Sequence, residues 1–383
     1  MKPAMGRSRA SITGVELTPL RIPFRHSLRE SVGQYDEITP VILKIHTTEG
    51  ITGVGEIQSY PLFEREGVEP QAGILAILQS HFIPLLLGLD PFQIESIWSR
   101  MDAVIKGHLW IKAGIDIALY DLMGKALNVP AYDLLGGACR RRHPVEGVGF
   151  GISIDEPSRV AEIAKEAVAQ GFTELELKAG DTDPRRDVRR VELVRRAIGG
   201  AIPIKIDFNR SYDVKTAIKV IMSMEEFGIQ LVEQPTAAWD LDGLAMIRRC
   251  IKTPLVVDET VSTAQDLLAV IRHGAADGVH IKPTVKGGLT GAKRLAAIAE
   301  AAGLLIIPGT NIPTGVGMGA VHAFLASTRE VHRGIHGSPL DALADDIIVD
   351  PIPAGTTVVE IKDSPGLGID LDEAKLALYL SKG

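Results

Sequence analysis

Three acidic residues end short apolar runs in the middle of the chain. Asp207 closes IPIKID, Glu233 closes LVE and Asp258 closes PLVVD, each one strand-plus-helix length after the last. A continuous Val/Ile/Leu run reads as a buried parallel strand. With one βα unit between each pair, the three carboxylates arrive from neighbouring strands at one face, the C-terminal mouth of a barrel. Without a counter-charge they would repel, and at least one would keep its proton at neutral pH. A hard divalent cation resolves the conflict, and an all-oxygen donor set favours magnesium over zinc or copper. A single acid in such a place commonly caps the following helix. Three in register point to a metal.

Lysines bracket the acids. Lys178 ends ELELK one unit before Asp207, and Lys282 ends GVHIK one unit after Asp258. With the acids on strands three to five, the lysines fall on strands two and six, on opposite sides of the metal. A lysine near a cation, or stripped of water, loses basicity and can act as a general base near neutral pH. The plain structural use of either would be a salt bridge to the adjacent acid. Two proton handlers across one metal suggest chemistry on a carbon acid. Glu176 and Lys205 each lie two residues before a mouth residue, so both face inward one layer down. A buried cross-strand ion pair between them is predicted, because either alone would carry a large desolvation cost. Such a pair is expected to leave Lys178 facing mainly the metal. Glu259, beside Asp258, should point away from the mouth.

The rest of the chain must position these groups. From about Pro144 short apolar runs alternate with amphipathic segments: VEGVGF, ELELK, IPIKID, LVE, PLVVD, GVHIK, LLIIP and RGIHG, the first seven each followed by a helical pattern. Seven or eight βα units predict a parallel α/β barrel. Residues 12–60 instead alternate strand-like runs with turns, and 91–135 carry helical spacing, so the first part reads as α+β. The tail contains PGLGIDLDEAKL, which has no place in an eighth unit and is expected to return to the first part. The chain is therefore divided into a capping domain at 1–140, a barrel at 141–350 and a returning tail at 351–383.

Composition narrows the partners. A formal charge of −7 over 383 residues argues against a nucleic-acid or membrane surface and for a small-molecule substrate. Cys139 and Cys250 form no CxxC, so neither a disulfide scaffold nor cysteine-ligated zinc is expected, which suits a reducing cytoplasm. The N-terminus has no apolar core of a signal peptide, and no apolar run approaches the ~18 residues that span a bilayer.

Longer stretches carry a resemblance. IDIALYDLMGKALNVPAYDLLGG at 115–137, DFN at 207–209, VEQP at 232–235, VVDET at 256–260, HIKPTVKGGLTGA at 280–292 and PGLGIDLD at 365–372 together resemble the enolase superfamily, in its mandelate racemase and muconate lactonizing enzyme group. The resemblance implies a modified (β/α)7β TIM-type barrel with an α+β capping domain built from both termini. It implies Mg2+ on Asp207, Glu233 and Asp258, with Lys178 and Lys282 as acid and base. Asn209, Asn311, Arg25 and His26 are the implied substrate-binding residues, the last two on a capping loop at 21–31 that closes the barrel with a second loop at 56–66. A homo-oligomer is expected. The implied reaction removes a proton next to a carboxylate through an enediolate, a superfamily pattern in which magnesium stabilises the developing charge.

Departures from the family narrow the substrate. Muconate cycloisomerases and acylamino-acid racemases resemble each other in a K-x-K on strand two, where this chain has Glu176-Leu177-Lys178. Pro313 stands where the family usually has an acid after strand seven. IHGSPLD lacks the Asp-x-Asp with which dipeptide epimerases hold a substrate ammonium, which disfavours dipeptides. A racemase, epimerase or cycloisomerase of a small carboxylic acid is expected, with a dehydratase as the alternative. A metal-free Schiff-base aldolase using Lys282 and a non-catalytic scaffold are the readings from other classes.

Overall fold

The computed structural model describes residues 10–30, 33–59, 69–147, 151–332 and 334–381. The capping loop expected at 56–66 lies from residue 60 onward outside the described residues, as do the last residues of VEGVGF.

The N-terminal part opens with five strands. β1 (Ile12–Pro19), β4 (Val41–Thr47) and β5 (Thr52–Ile57) form an antiparallel sheet in the order β1-β4-β5, and β2 (Ile22–Glu30) pairs antiparallel with β3 (Gly33–Ile38). The helix Leu109–Leu127 lies on this sheet. The glycines of TGVGEI explain how closely: a Cβ at Gly53 would lie 2.1 Å from Ala118 O, and one at Gly55 2.1 Å from Gly114 O. Only residues without a Cβ allow backbone to approach backbone at that distance. One face of the helix packs with Ile45, Ile57 and Phe82, burying Ile111, Ile115, Leu119 and Leu122.

The middle of the chain forms a curled parallel sheet of six strands, with helices between them. These are β7 (Leu175–Lys178), β8 (Ile204–Asp207), β9 (Leu231–Glu233), β10 (Leu255–Val257), β11 (Gly278–Ile281) and β12 (Leu305–Pro308), in unbroken order β12-β11-β10-β9-β8-β7. The architecture is the modified (β/α)7β barrel with an N-terminal antiparallel cap. Register explains the convergence of charge: Glu176 pairs with Lys205, Lys178 with Asp207, and Asp207 with Glu233.

Two expected strands are much reduced. Among the described residues, VEGVGF and RGIHG contribute only the parallel bridge Val145↔Ile335, and the chain just beyond reaches β7 through the bridge Ile152↔Leu177. Gly147 at φ +67° and Gly151 at φ +97° hold left-handed conformations that a ladder does not accept. The barrel thus closes along a seam of single bridges.

The tail runs back across both parts. β13 (Val358–Glu360) pairs antiparallel with β6 (Arg142–Pro144), and Leu380 bridges Leu20. Lys44 Nζ meets Glu373 Oε1 at 2.7 Å. Among the described residues no helix is long and apolar enough to cross a membrane.

Candidate active site

Asp207 and Glu233 end their strands and Asp258 follows β10 directly, and all three are almost fully buried. Each meets a basic side chain. Lys178 Nζ donates to Asp207 Oδ2 at 2.7 Å, and the Asn209 backbone N–H donates to Oδ1 at 2.9 Å. His280 Nδ1 lies 2.8 Å from Glu233 Oε1. Lys282 Nζ donates to Asp258 Oδ2 at 2.5 Å, and Lys286 Nζ stands 3.1 Å from Oδ1.

The charges are unevenly held. Burial, with Glu233 next to it, pushes the Asp207 carboxyl up to about 7, although Lys178 pulls the other way. Burial acts in the same sense on Glu233 and Asp258 but loses. His280 and then Lys205 hold Glu233 well below the usual range, and Lys282 and then Lys286 do so for Asp258. Burial would lower Lys282, yet Asp258 and then Glu233 keep it above the ordinary lysine value. The crowding that the strand-end spacing implies is therefore real, and Asp207 carries it.

Does this set fit a hard cation? Three convergent carboxylates supply only oxygen, as Mg2+ requires. Glu233 Oε2 is buried and accepts no hydrogen bond, Lys205 approaching it only as an ion at 3.1 Å, and Asn209 Oδ1 is likewise buried without a partner. By distance the close group is Glu233, Asp258 and His280, with one potential ligand atom of each within 4.8 Å of the others; Asp207, paired in register with Glu233, lies outside that group. The Glu233 and Asp258 carboxylates fit a hard cation, with Asp207 beside them. Glu146, Glu176 and His336 form a second such group, but the Lys205 ammonium already occupies it, 3.2 Å from Glu146 Oε2 and 2.6 Å from Glu176 Oε2.

The Glu176–Lys205 pair forms, but it is not isolated. Lys205 serves three carboxylates, and Glu176 Oε1 also contacts Lys178 Nζ directly at 2.7 Å. Lys178 thus faces two acids rather than mainly the metal position, because a carboxylate has a second oxygen to offer. Glu259 turns away, as the strand period requires, and meets Arg210 Nε at 3.1 Å.

Of the other candidates, Asn209 stands beside Asp207 in a left-handed conformation at φ +41°. Asn311 is buried on the loop after β12. Arg25 and His26 sit exposed on β2, and Arg25 Nε donates to Leu343 O at 3.1 Å; neither contacts the acids or lysines of the mouth. At Pro313, where an acid was expected, the next residue is gripped by an acid from the cap: Glu56 on β5 accepts from Thr314 Oγ1 at 2.7 Å and from Gly317 N at 2.9 Å.

Several supporting residues escaped the sequence reading. Gln234, at φ +37°, accepts the Asp258 N–H on Oε1 at 3.0 Å and donates through Nε2 to Thr260 Oγ1 at 2.8 Å, fixing the loop after β10. Lys286 Nζ donates to the carbonyls of Asp258 and Val261 at 2.7 and 2.6 Å. His280 was readable by period, since it lies two residues before Lys282 and faces the same way. Glu146 and His336 come from the seam, where no strand pattern marks an inward face.

The chain matches the mandelate racemase / muconate lactonizing enzyme N-terminal domain over residues 12–136 and the enolase C-terminal domain-like family over residues 159–375. It is 32% identical over 366 residues to an N-succinyl-L-Arg/Lys racemase of Bacillus cereus, covering 95% of this chain and 96% of that one. The crystal structure of that racemase superposes with a TM-score of 0.91 over 97% of this chain and 98% of the other. Muconate cycloisomerase 1 of Rhodococcus opacus is 30% identical, with 94% and 96% covered. A dipeptide epimerase from Enterococcus faecalis, solved with Mg and the dipeptide L-Leu-L-Tyr, gives a TM-score of 0.88 at 30% identity, with 94% and 99% covered. All three are isomerases, and dehydration has no counterpart among them. The chain belongs to the mandelate racemase and muconate lactonizing enzyme group of the enolase superfamily, and it is an isomerase.

Proposed function

We propose that this isomerase is a Mg2+-dependent racemase or epimerase of a small carboxylic acid, with Lys178 and Lys282 handling the α-proton from opposite faces. One observation carries the reading: the two lysines hold opposite ends of a row of three carboxylates, Lys178 on Asp207 and Lys282 on Asp258. Asp207, Glu233 and Asp258 would hold Mg2+, which when bound supplies Lewis-acid stabilisation of the charge that develops on the substrate carboxylate. Lys282 takes or returns the proton on one face and Lys178 on the other, so the α-carbon inverts when one gives what the other removed. Lys286 and Gln234 hold the Asp258 loop, and His280 orients Glu233, which keeps the acids in place while the lysines exchange protons. Burial of the whole group excludes competing water.

Substrate class follows from what the mouth lacks. The stretch IHGSPLD lacks the Asp-x-Asp with which dipeptide epimerases hold a substrate ammonium, which disfavours a free α-ammonium. Together with the relative named as an N-succinyl amino-acid racemase, this favours an N-acylated amino acid. Cycloisomerisation is the second reading, supported by the likeness to muconate cycloisomerase 1. The test is 1H NMR in D2O with Mg2+ and a panel of N-succinyl and N-acetyl amino acids, dipeptides and cis,cis-muconate. Loss of the α-proton signal from both enantiomers of an N-acyl amino acid is expected. Lactone formation from muconate with no exchange elsewhere would favour the second reading, and folded protein inert to the whole panel would sink both.

A further inference from the structure

Glu176 stands where two chains of contacts cross, one through Lys178 and one through His336. Its Oε1 meets Lys178 Nζ at 2.7 Å, while its Oε2 meets Lys205 Nζ at 2.6 Å and His336 Nε2 at 3.1 Å. On the far side of the imidazole, Nδ1 lies 2.9 Å from Thr310 Oγ1. His336, Glu176 and Thr310 are all buried. Gly151 packs over the carboxylate, where a Cβ would come within 2.8 Å of Oε1.

Donor and acceptor rules fix the direction of this chain. An ionised carboxylate only accepts, so His336 Nε2 carries the hydrogen, and in a neutral ring Nδ1 must accept, from the Thr310 hydroxyl. Burial pushes His336 down, against the pull of Glu176, which favours that neutral ring. The terminal torsion of a glutamate is broad and roughly two-fold, so one donor on Oε2 leaves its plane free to turn. Lys205 approaches from β8 and His336 from the seam beyond β12, and two donors from different directions remove that freedom. With Oε2 fixed, Oε1 is fixed, and Lys178 Nζ rests on it.

We propose that His336 is a positioning residue for the Lys178 half of the reaction: oriented by Thr310, it locks Glu176 and thereby aims Lys178 Nζ at the α-carbon. The proposal rests on the two-lysine reading above. Lys282 makes no direct contact with Glu176, His336 or Thr310 and takes its position from Asp258. Loss of His336 therefore damages one face of the reaction and spares the other, which a general loss of stability does not do.

The test uses H336F and H336Q, with K178A and K282A assigning each enantiomer to its lysine. Exchange of the Lys178-dependent enantiomer should fall about 10–100-fold in H336F, the usual cost of a base displaced by about 1 Å or deprived of its supporting hydrogen bond. The Lys282-dependent exchange should stay near the wild-type rate. H336Q, whose amide nitrogen can reach the place of Nε2, should recover most of the loss. A crystal structure of H336F should show Lys178 Nζ shifted. Equal loss with both enantiomers, no loss, or an unmoved Nζ would overturn the proposal. Failure of K178A and K282A to separate the enantiomers would instead overturn the two-lysine reading, and the position of Nζ in the H336F crystal would still decide the role of His336.

Discussion

Replacing Lys205 by methionine keeps most of the side chain's length and removes its charge. The ammonium is fully buried, 2.6 Å from Glu176, 3.1 Å from Glu233 and 3.2 Å from Glu146. At an effective dielectric constant of about 20, one charge pair near ~3 Å is worth roughly 5 kcal/mol. Three such contacts exceed the several kcal/mol that burying one ammonium costs. In the variant Glu176 keeps the Lys178 ammonium and its hydrogen bond to His336, and Glu233 keeps its contact with His280, so Glu176 is still balanced by one cation. The expected net loss is about 3–5 kcal/mol, the range for removing one partner from a buried ion pair. Urea unfolding followed by far-UV circular dichroism at pH 7, with EDTA present, measures it. The pH dependence supplies a second check. Lys205 is held above the ordinary lysine value, burial being outweighed by Glu146, Glu176 and Glu233, so its contribution is complete at pH 7. Glu176 is held well below 4.5, burial being outweighed by Lys178 and Lys205, so its contribution is present above 4.5 and fades as pH falls through the lower folded value. The gap between wild type and K205M should therefore narrow in acid. A gap below about 1 kcal/mol at pH 7, the value of an exposed pair, or one unchanged by acid would refute this account of the barrel's interior.

D258N should lose Mg2+ affinity in calorimetric titration and at least about a hundredfold in proton exchange, the several kcal/mol that a metal contributes, while its circular dichroism spectrum stays native; wild-type binding would show that the metal sits elsewhere. K282A should abolish exchange of one enantiomer's α-proton in D2O and retain exchange of the other, and equal loss of both would argue against one-sided roles. Glu56 is raised to about 7 by burial, so its contribution to stability is full below 4.5 and is lost as pH rises through about 7. Unfolding free energy should fall by about 3 kcal/mol from this group across that window, E56Q should flatten the slope, and an unchanged slope in E56Q would assign it to other groups.

The acids and lysines were legible because a parallel strand has a fixed period and a fixed end. Asp207, Glu233 and Asp258 mark those ends, and Glu176 and Lys205 follow from counting back by two. The same count would have reached His280 from Lys282. Glu146 and His336 were not legible, since each sits next to a single bridge where glycines break the period. Nor could the sequence show that Glu56 reaches Thr314, 258 residues on, because that contact depends on how cap and barrel meet rather than on any local pattern. The position of Arg25 and His26 was inferred from a loop whose counterpart at 56–66 lies mostly outside the described residues, and β2 leaves both away from the carboxylates.

The seam between the first and last staves gives this barrel two unlike kinds of position. A residue within β8 or β9 is held by neighbours on both sides, and moving its backbone disturbs two ladders at once. Around Glu146 and His336 the described chain is tied by the bridge Val145↔Ile335 and by single backbone hydrogen bonds such as Glu146 N to Ile335 O, so a side chain exchanged there disturbs no extended ladder. The carboxylates that would hold the metal are thus confined to the constrained strands, while groups that bear on one lysine arrive from the permissive ones. Divergence within such a scaffold has a cheap route: alter the seam, retune one proton handler, and leave the metal-facing acids untouched.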